Sequence, residues 1–515
     1  MSTLAAVGCD VTVTSITKID PAEGLVALRM SSNVSGTLTS NSRLDRIDVE
    51  RIDDAEKAGS IYTIHKIVTG SMRTVLLLGA LPAGKYKLTE ISGDRFHVDT
   101  GNKLPTFHVF PGKTTFLGTL IDHPEYNMAL SHALYFAIDP REDNLLQILR
   151  NEFPKLGHAF TAPLLGWDSE FRGEGPFISF EFIKNNTAVI NKPVMSSTGE
   201  IFSGSSFGQI LKRDTGGNWA RLDTGSIHEV ITVSPINKNT LIAGGDSGLL
   251  KLSKDQGQTW QNLPALPVRG AIIFTGQDKS GIYYAVTRRA NDAWLYTSTD
   301  IAKGNWKEVR NFQLSTNWNV PWSSAEISLV DNHLFMALPP HNFHSYNILK
   351  KKWHDSEAPF SWTSQIKMLP GGTVYAVGTT GILNSLFISS DYGKNWRELD
   401  TSTRSSNPVF IDKMNGYMTH SKFISIVKYD QVLHFTEDAG NTWQETGKLP
   451  TNQFRTLFAF SADTPVFLTT HNGSIYSSYD HGKTWNHERK ISLKFRSAQK
   501  NISGAKPKKI LSAIN

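Results

Sequence analysis

Short extended runs separated by turn residues dominate the sequence from end to end. In residues 10–122 the runs Val11-Thr12-Val13-Thr14, Leu25-Val26-Ala27-Leu28, Ile61-Tyr62-Thr63-Ile64 and Val75-Leu76-Leu77-Leu78 read as strands. Leu81-Pro82-Ala83-Gly84 places a Pro–Gly turn before Lys85-Tyr86-Lys87-Leu88, and Pro105–Leu120 adds two strands around Pro111-Gly112. About seven short strands in about 110 residues suggest a β-sandwich. Between 123 and 184 the pattern changes. Asp139-Pro140-Arg141-Glu142 reads as a helix start, with an N-cap and Pro at N1. Leu145, Leu149 and Phe153 then share one face, and Pro154 ends the helix at about 140–153. Gly173-Glu174-Gly175-Pro176 closes this linker, and Phe177–Ile183 reads as a strand able to close a following ring.

From 185 to 490 one phrase recurs. Ser253-Lys254-Asp255-Gln256-Gly257-Gln258-Thr259-Trp260 is echoed at Ser389–Trp396, Thr436–Trp443 and Ser478–Trp485, and at Lys212–Trp219 without the leading hydroxyl. A looser copy runs from Ser298 through Asp300 to Trp306, and Tyr346–Trp353 keeps only the strand and the indole. Trp219, Trp260, Trp306, Trp353, Trp396, Trp443 and Trp485 are spaced by 41, 46, 47, 43, 47 and 42 residues. That is the length of a four-stranded propeller blade, so seven blades are expected. The carboxylate and hydroxyl suit a tight turn, Gly supplies a positive φ, and Trp covers the turn. Asp214, Asp255, Asp300, Asp391, Asp438 and Asp480 are therefore turn residues, not catalysts.

This phrase resembles the Asp-box (bacterial neuraminidase) repeat of sialidases, sortilin-type receptors, xyloglucanases and the photosystem II assembly factor. The resemblance implies an all-β chain: an N-terminal β-sandwich (10–122), a linker (123–184), a seven-bladed Asp-box β-propeller (185–490) and a tail (491–515). The Leu-Pro-Ala-Gly-Lys-Tyr phrase at 81–86 resembles small prealbumin- or immunoglobulin-like modules of bacterial envelope proteins. In such rings the Asp-box turns lie on one rim and ligands bind over the opposite one.

That opposite face is built from the links between blades and the turns between second and third strands. The ruler puts Trp318, Pro321, Trp322 and Glu326 in one link, and Phe360 and Trp362 in the next. Arg288, Arg289 and Asp292 fall in one turn, and His341, Phe343 and His344 in another. His228, Glu229, Arg269 and Arg455 belong to the same face. Aromatic rings beside polar groups suit stacking on sugars or gripping a peptide. His341 and His344 are close in sequence but lack a third ligand nearby, so no metal is assigned, and no cofactor is expected.

Charge and cysteine alter the picture at the ends. Residues 489–515 hold eight positive residues and no acid; the whole chain is net +6, so the remainder is net −2. The basic character belongs to a tail, and no nucleic-acid-binding motif accompanies it. No apolar run reaches eighteen residues. The single cysteine, Cys9, follows Leu4-Ala5-Ala6-Val7-Gly8, resembling the lipobox of bacterial lipoproteins. Met1 then reads as an internal methionine of a longer signal peptide, since eight residues cannot hold both a basic and an apolar region. The implied location is extracytoplasmic, with a lipid on Cys9 as the contact with a bacterial membrane.

Three functions fit. One is a non-catalytic envelope protein whose upper face binds a protein or glycan. Another is a glycoside hydrolase of sialidase or xyloglucanase type, with Glu229 and Glu326 the best-placed carboxylates. Against the sialidase form, the Arg-Ile-Pro phrase is absent and Arg213 sits in a turn phrase. A xyloglucanase places its carboxylates between two propellers, and this chain has room for one. The third is an assembly factor for a membrane protein complex.

Overall fold

The computed structural model describes residues 19–491, apart from 33–43, 54–58, 68–74, 94–95, 128–129, 140, 142–144, 161–163, 170–177, 188, 290–291, 314–324, 339–341, 361, 381–382, 400–407 and 426–427. Nine strands come first: β1 Glu23–Ser32, β2 Leu44–Arg51, β3 Ile61–Ile67, β4 Val75–Pro82, β5 Gly84–Gly93, β6 Phe96–Asp99, β7 Phe107–Val109, β8 Thr114–Asn127 and β9 Leu130–Asp139. They hydrogen-bond along one path, β6-β5-β2-β3-β4-β1-β8-β9, with β7 on β5. A sandwich of two separate sheets is not shown by this pairing. β3 makes the link, matching Ile61–His65 to β2 and then Lys66 and Ile67 to β4.

Period-2 alternation places β1 between two cores. Val26, Leu28 and Met30 pack with Ile47, Val49, Tyr86 and Phe107, while Leu25 and Ala27 face the other way, beneath a helix. That helix, α1 (Leu145–Glu152), lays Leu145 and Leu149 on this second face. It does not start at Asp139. Asp139 is the last rung of β9, opposite Thr119, and its buried carboxylate accepts from the Arg141 side chain at 2.8 Å.

Seven four-stranded antiparallel sheets follow, spanning 191–223, 230–262, 271–313, 326–357, 362–399, 409–448 and 454–489. Each takes its four strands in sequence order, so the blades are meanders and no strand is exchanged between them. The described part of the strand expected at Phe177–Ile183, residues 178–183, joins none of these sheets. Instead Phe180–Asn185 is a short helix, α2, whose start is capped by Ser179 accepting from the Phe182 amide. Its apolar side chains favour burial against the first sheet over ladder bonds: Ile178 and Ile183 pack with Ile121, Ala137 and Phe207.

Closure is made by side chains. Trp219 and Leu211 of the first blade pack with Phe458, Phe467 and Ile475 of the seventh. Arg213 meets Glu488 of the seventh blade through Nε at 2.8 Å and a terminal nitrogen at 2.7 Å, and the Trp219 indole donates to the same carboxylate at 2.8 Å. Burial works to raise the pKa of Glu488, but the donors Arg213, Ser477 and Trp219 outweigh it and hold it low. The first and last tryptophans of the ruler thus lie in adjacent sheets, as a seven-membered ring requires.

The turns between third and fourth strands share one geometry. Ser253 Oγ donates to Asp255 at 2.8 Å and accepts the Gly257 amide at 2.7 Å; Asp255 accepts from the Thr259 amide at 2.9 Å. The same bonds recur around Asp391, Asp438 and Asp480. Asp214 accepts from the Asn218 amide, and Asp300 from the Ala302 amide.

Candidate functional site

In a four-stranded meander the first-to-second and third-to-fourth turns share one rim. The second-to-third turns and the links between blades share the other. The latter is the candidate face. A cavity of about 330 Å³ opens there between the second and third blades. Ser226 and His228 enter from the link 224–229, and Arg269 from the link before the third blade. Lys251 and Thr287 contribute polar walls, Leu249, Leu250, Leu266 and Ile272 apolar ones, and Gln147 of α1 reaches its edge.

The link 224–229 is held by hydrogen bonds to Gly208 and Lys251. The Gly208 amide donates to His228 O at 2.8 Å, the Thr224 amide to Gly208 O at 2.9 Å, and Lys251 Nζ to Thr224 O at 2.7 Å. Gly208 is required here: its φ is +72°, and a Cβ would lie 2.1 Å from Ser226 O. No carboxylate lines the cavity among the described residues, and Arg269 and Lys251 are the charged side chains in its lining, with buried His228 beside them.

A second polar cluster occupies the ring axis. Lys192, on the innermost strand of the first blade, reaches Glu326 of the fourth at 3.2 Å and also donates to Ala325 O. Next to it Asn191 donates to Glu229 at 2.8 Å. Lys367, innermost in the fifth blade, donates to Ala459 O at 3.4 Å. Burial pulls the Lys367 amine down and Glu326 opposes it, leaving it below the usual lysine range. Lys192 has a φ of 24°, an uncommon conformation for a non-glycine residue.

The sequence-derived candidates divide accordingly. His228 and Arg269 meet in the cavity. Glu229 and Glu326 are brought to adjacent residues of one strand. Arg288 and Arg289 end the second strand of the third blade, Arg289 opposite Asp292, and burial pulls the Arg288 guanidinium well below the usual arginine range. Arg455 lies on the innermost strand of the seventh blade, Phe454–Phe458.

His344 is not a loop residue. It lies on the third strand of the fourth blade, Asn342–Asn347, with Nδ1 2.8 Å from Asp355 and its ring 4.7 Å from that of Phe312. Burial lowers its pKa, against the pull of Asp355. Arg310 clamps Asp355 from the neighbouring blade at 2.9 and 2.7 Å, so this group ties two outer strands together. The alternation of Asn342–Asn347 carries His344 away from the rim. Phe343 and Phe360 are core: both rings are buried, 6.1 Å apart. Arg489, counted with the basic tail, is buried in the last strand and donates to Thr187 O at 3.1 Å. Trp362 begins the innermost strand of the fifth blade, Trp362–Met368. Trp318, Trp322, His341 and Cys9 lie outside the described residues.

Sequence reasoning missed Lys192, Lys251, Lys367 and Gln147. For Lys367 a signal existed: Thr363, Gln365 and Lys367 alternate along a strand whose position beside the axis should be apolar on both faces. Among the described residues no cluster of His, Cys, Asp and Glu could hold a metal ion, and no helix is long and apolar enough to cross a membrane.

Fold and site define a seven-bladed β-propeller protein with a polar, cationic cavity on the rim opposite its tryptophan turns. No protein-family model matches the sequence, and no curated protein matches it. Solved structures that are similar include YCF48 bound to D1 peptide (15% identity, 57% of this chain and 93% of that one, TM-score 0.44). YCF48 from Cyanidioschyzon merolae gives 14% identity, 56% and 94% coverage and a TM-score of 0.43. The computationally designed Ika8 protein gives 16%, 59% and 88%, and 0.40. At such identities the likeness reaches no further than the ring, which the strand pairing of this chain already defines.

Proposed function

We propose that the chain is a non-catalytic, extracytoplasmic binding protein of the Asp-box propeller type, lipid-anchored through Cys9, that holds an acidic segment of a protein partner over its second and third blades. The observation that carries this reading is the cavity of about 330 Å³ lined by Arg269, Lys251 and His228 beside Leu249, Leu250 and Leu266. The Arg269 and Lys251 side chains next to an apolar wall suit a carboxylate and a neighbouring aliphatic side chain presented together. The hydrogen bonds that hold the link 224–229 place His228 and Lys251 in advance, which limits the ordering cost of binding. The Asp-box assignment is supported by four turns with the same hydroxyl–carboxylate–amide bonds. An assembly role is the case in which the partner belongs to a membrane complex.

The test is an array of acidic and neutral peptides beside a glycan array, probed with the wild-type chain and Arg269→Gln. Acidic peptides should be retained, with affinity at least about tenfold lower in the variant, the loss expected for one charged hydrogen bond. Glycan binding that survives Arg269→Gln, with no peptide retained, would overturn the reading. A glycoside hydrolase remains the second reading because Glu229 and Glu326 both contact the Asn191–Lys192 step. Turnover of an aryl glycoside, abolished by Glu326→Gln, would establish it instead.

A further inference from the structure

The first two blades carry the same turn between their second and third strands, on the rim of the cavity. In the first blade the Ser205 amide donates to Gln209 O at 2.9 Å and the Gln209 amide to Ser206 O at 3.1 Å. In the second the Gly245 amide donates to Leu249 O at 2.9 Å and the Leu249 amide to Asp246 O at 3.1 Å. Phe207 and Ser247 are therefore equivalent residues, with φ of 59° and 55°, each followed by a left-handed glycine. A bulky residue is seldom held in that conformation, so surrounding structure must hold Phe207 there.

That structure is the junction with the first sheet. Phe207 is buried with Ile121 of β8, Ala137 of β9, and Ile178 and Ile183 beside them. Its ring meets Phe180 of α2 edge-on, with centroids 5.6 Å apart. Around it Lys184 pairs with Asp223 at 2.7 Å, and the Arg489 guanidinium donates to Thr187 O at 3.1 Å. Ile121 and Ala137 alternate with Leu120, Phe136 and Ile138, which belong to the Val26 core. The junction thus uses the face of the sheet that α1 also covers.

One blade further on, α1 reaches the cavity. Leu145 and Leu149 fix this helix to the sheet. At about 100° per residue Gln147 projects from the opposite side of the helix. There it lines the cavity together with Ser247 and Gly248. The turn that Phe207 closes in the first blade is left open in the second, with a carboxamide from the first unit among the cavity walls.

We propose that the acidic segment lies between Gln147 and the Ser247–Gly248 turn, the Gln147 carboxamide hydrogen-bonded to its main chain and Arg269 and Lys251 to its carboxylate; this rests on the assignment of the cavity to an acidic peptide. A carboxamide offers both a donor and an acceptor, which a peptide bond satisfies and a carboxylate, an acceptor only, does not. Gln147 therefore selects a carboxylate carried on a peptide over a free one. Phe207 acts through it as a positioning residue, because the junction sets where α1 stands above the second blade. The site belongs to both units, and neither completes it alone.

The test is calorimetric titration with two probes. One is a set of acetylated pentapeptides with a central glutamate flanked by Leu, Ile or Val; the other is glutarate, a carboxylate without peptide bonds. Arg269→Gln should weaken both. Gln147 is exposed, so its truncation leaves the fold intact. Gln147→Ala should weaken the peptides about three- to tenfold, as for one neutral hydrogen bond, and leave glutarate unchanged. Phe207→Gly keeps the left-handed turn and removes the ring. It should weaken the peptides by a similar factor, and adding Gln147→Ala should then cost nothing more. Peptide binding lost in Arg269→Gln but unchanged in Gln147→Ala would overturn this proposal and leave the cavity's assignment standing. Equal weakening of peptides and glutarate by Gln147→Ala would overturn it too, as would additive losses in the Phe207→Gly/Gln147→Ala double variant. Wild type that binds none of the pentapeptides would sink the assignment of the cavity and this proposal together.

Discussion

At single positions the turns show why the recurring phrase is written as it is. Gln256, Tyr392, Ala439 and His481 have φ of 62°, 64°, 62° and 57°, and the glycine after each lies between 79° and 88°. Two successive left-handed residues are needed, yet only the second is always Gly in these four turns. The second is closely packed: a Cβ on Gly440 would lie 3.0 Å from Phe410 of its own blade and 3.2 Å from Leu386 of the fifth. Adjacent substitutions should therefore act with opposite signs. Gly440→Ala should destabilise by about 2 kcal/mol through strain and overlap, while Ala439→Gly should stabilise by about 0.5 kcal/mol by relieving a left-handed alanine. Urea denaturation followed by indole fluorescence reads both; equal signs would show that space, not backbone conformation, governs the position.

Between elements, the ring depends on side chains where no strand is exchanged. Arg213 and Glu488 are both nearly buried, and Glu488 accepts from Arg213, Trp219 and Ser477 together. Glu488→Gln removes the charge that balances a buried guanidinium and should cost about 3 kcal/mol, read as a lower urea midpoint with first and seventh blades opening together. An unchanged midpoint would place closure in the Trp219–Phe467 packing alone. This latch was illegible beforehand, because Glu488 carries no motif and its partner lies at the far end of the ring in sequence. The blades were legible: seven indoles at regular spacing mark a local unit repeated, and local units leave periodic traces. The site was half legible. His228 and Arg269 could be placed by counting from Trp219 and Trp260, whereas His344 was misplaced because its blade lacks the Asp-turn that fixes the register. Strand pairing in the first sheet depends on contacts distant in sequence, such as β1 on β8, and alternation alone cannot say which strand meets which.

For the whole molecule, the repeated turns make one rim respond to acid as a unit. Hydrogen bonds from Thr259 hold Asp255, and those from Thr484 hold Asp480, down to about 2; Asp214, Asp300 and Asp438 are lowered mainly by side-chain bonds from Asn218, Lys303 and Thr442. Asp391 is lowered too, its turn donors outweighing burial. An unfolded aspartate titrates near ~3.9, so each folded value is depressed. The sign follows: the unfolded chain takes up protons first as pH falls, so the stabilisation is complete above about pH 4 and is lost as pH drops toward about 2. Each turn is exposed and contributes modestly, but six of them sit in seven blades that must stay packed on their neighbours. The melting temperature should be level between neutral pH and about pH 5, then fall steeply below about pH 4. Asp255→Asn/Asp480→Asn should start lower at neutral pH and lose less on acidification, because two titrating groups are gone. A wild-type decline centred near pH 6 would point to histidines such as His344 as the controlling groups and away from the turns.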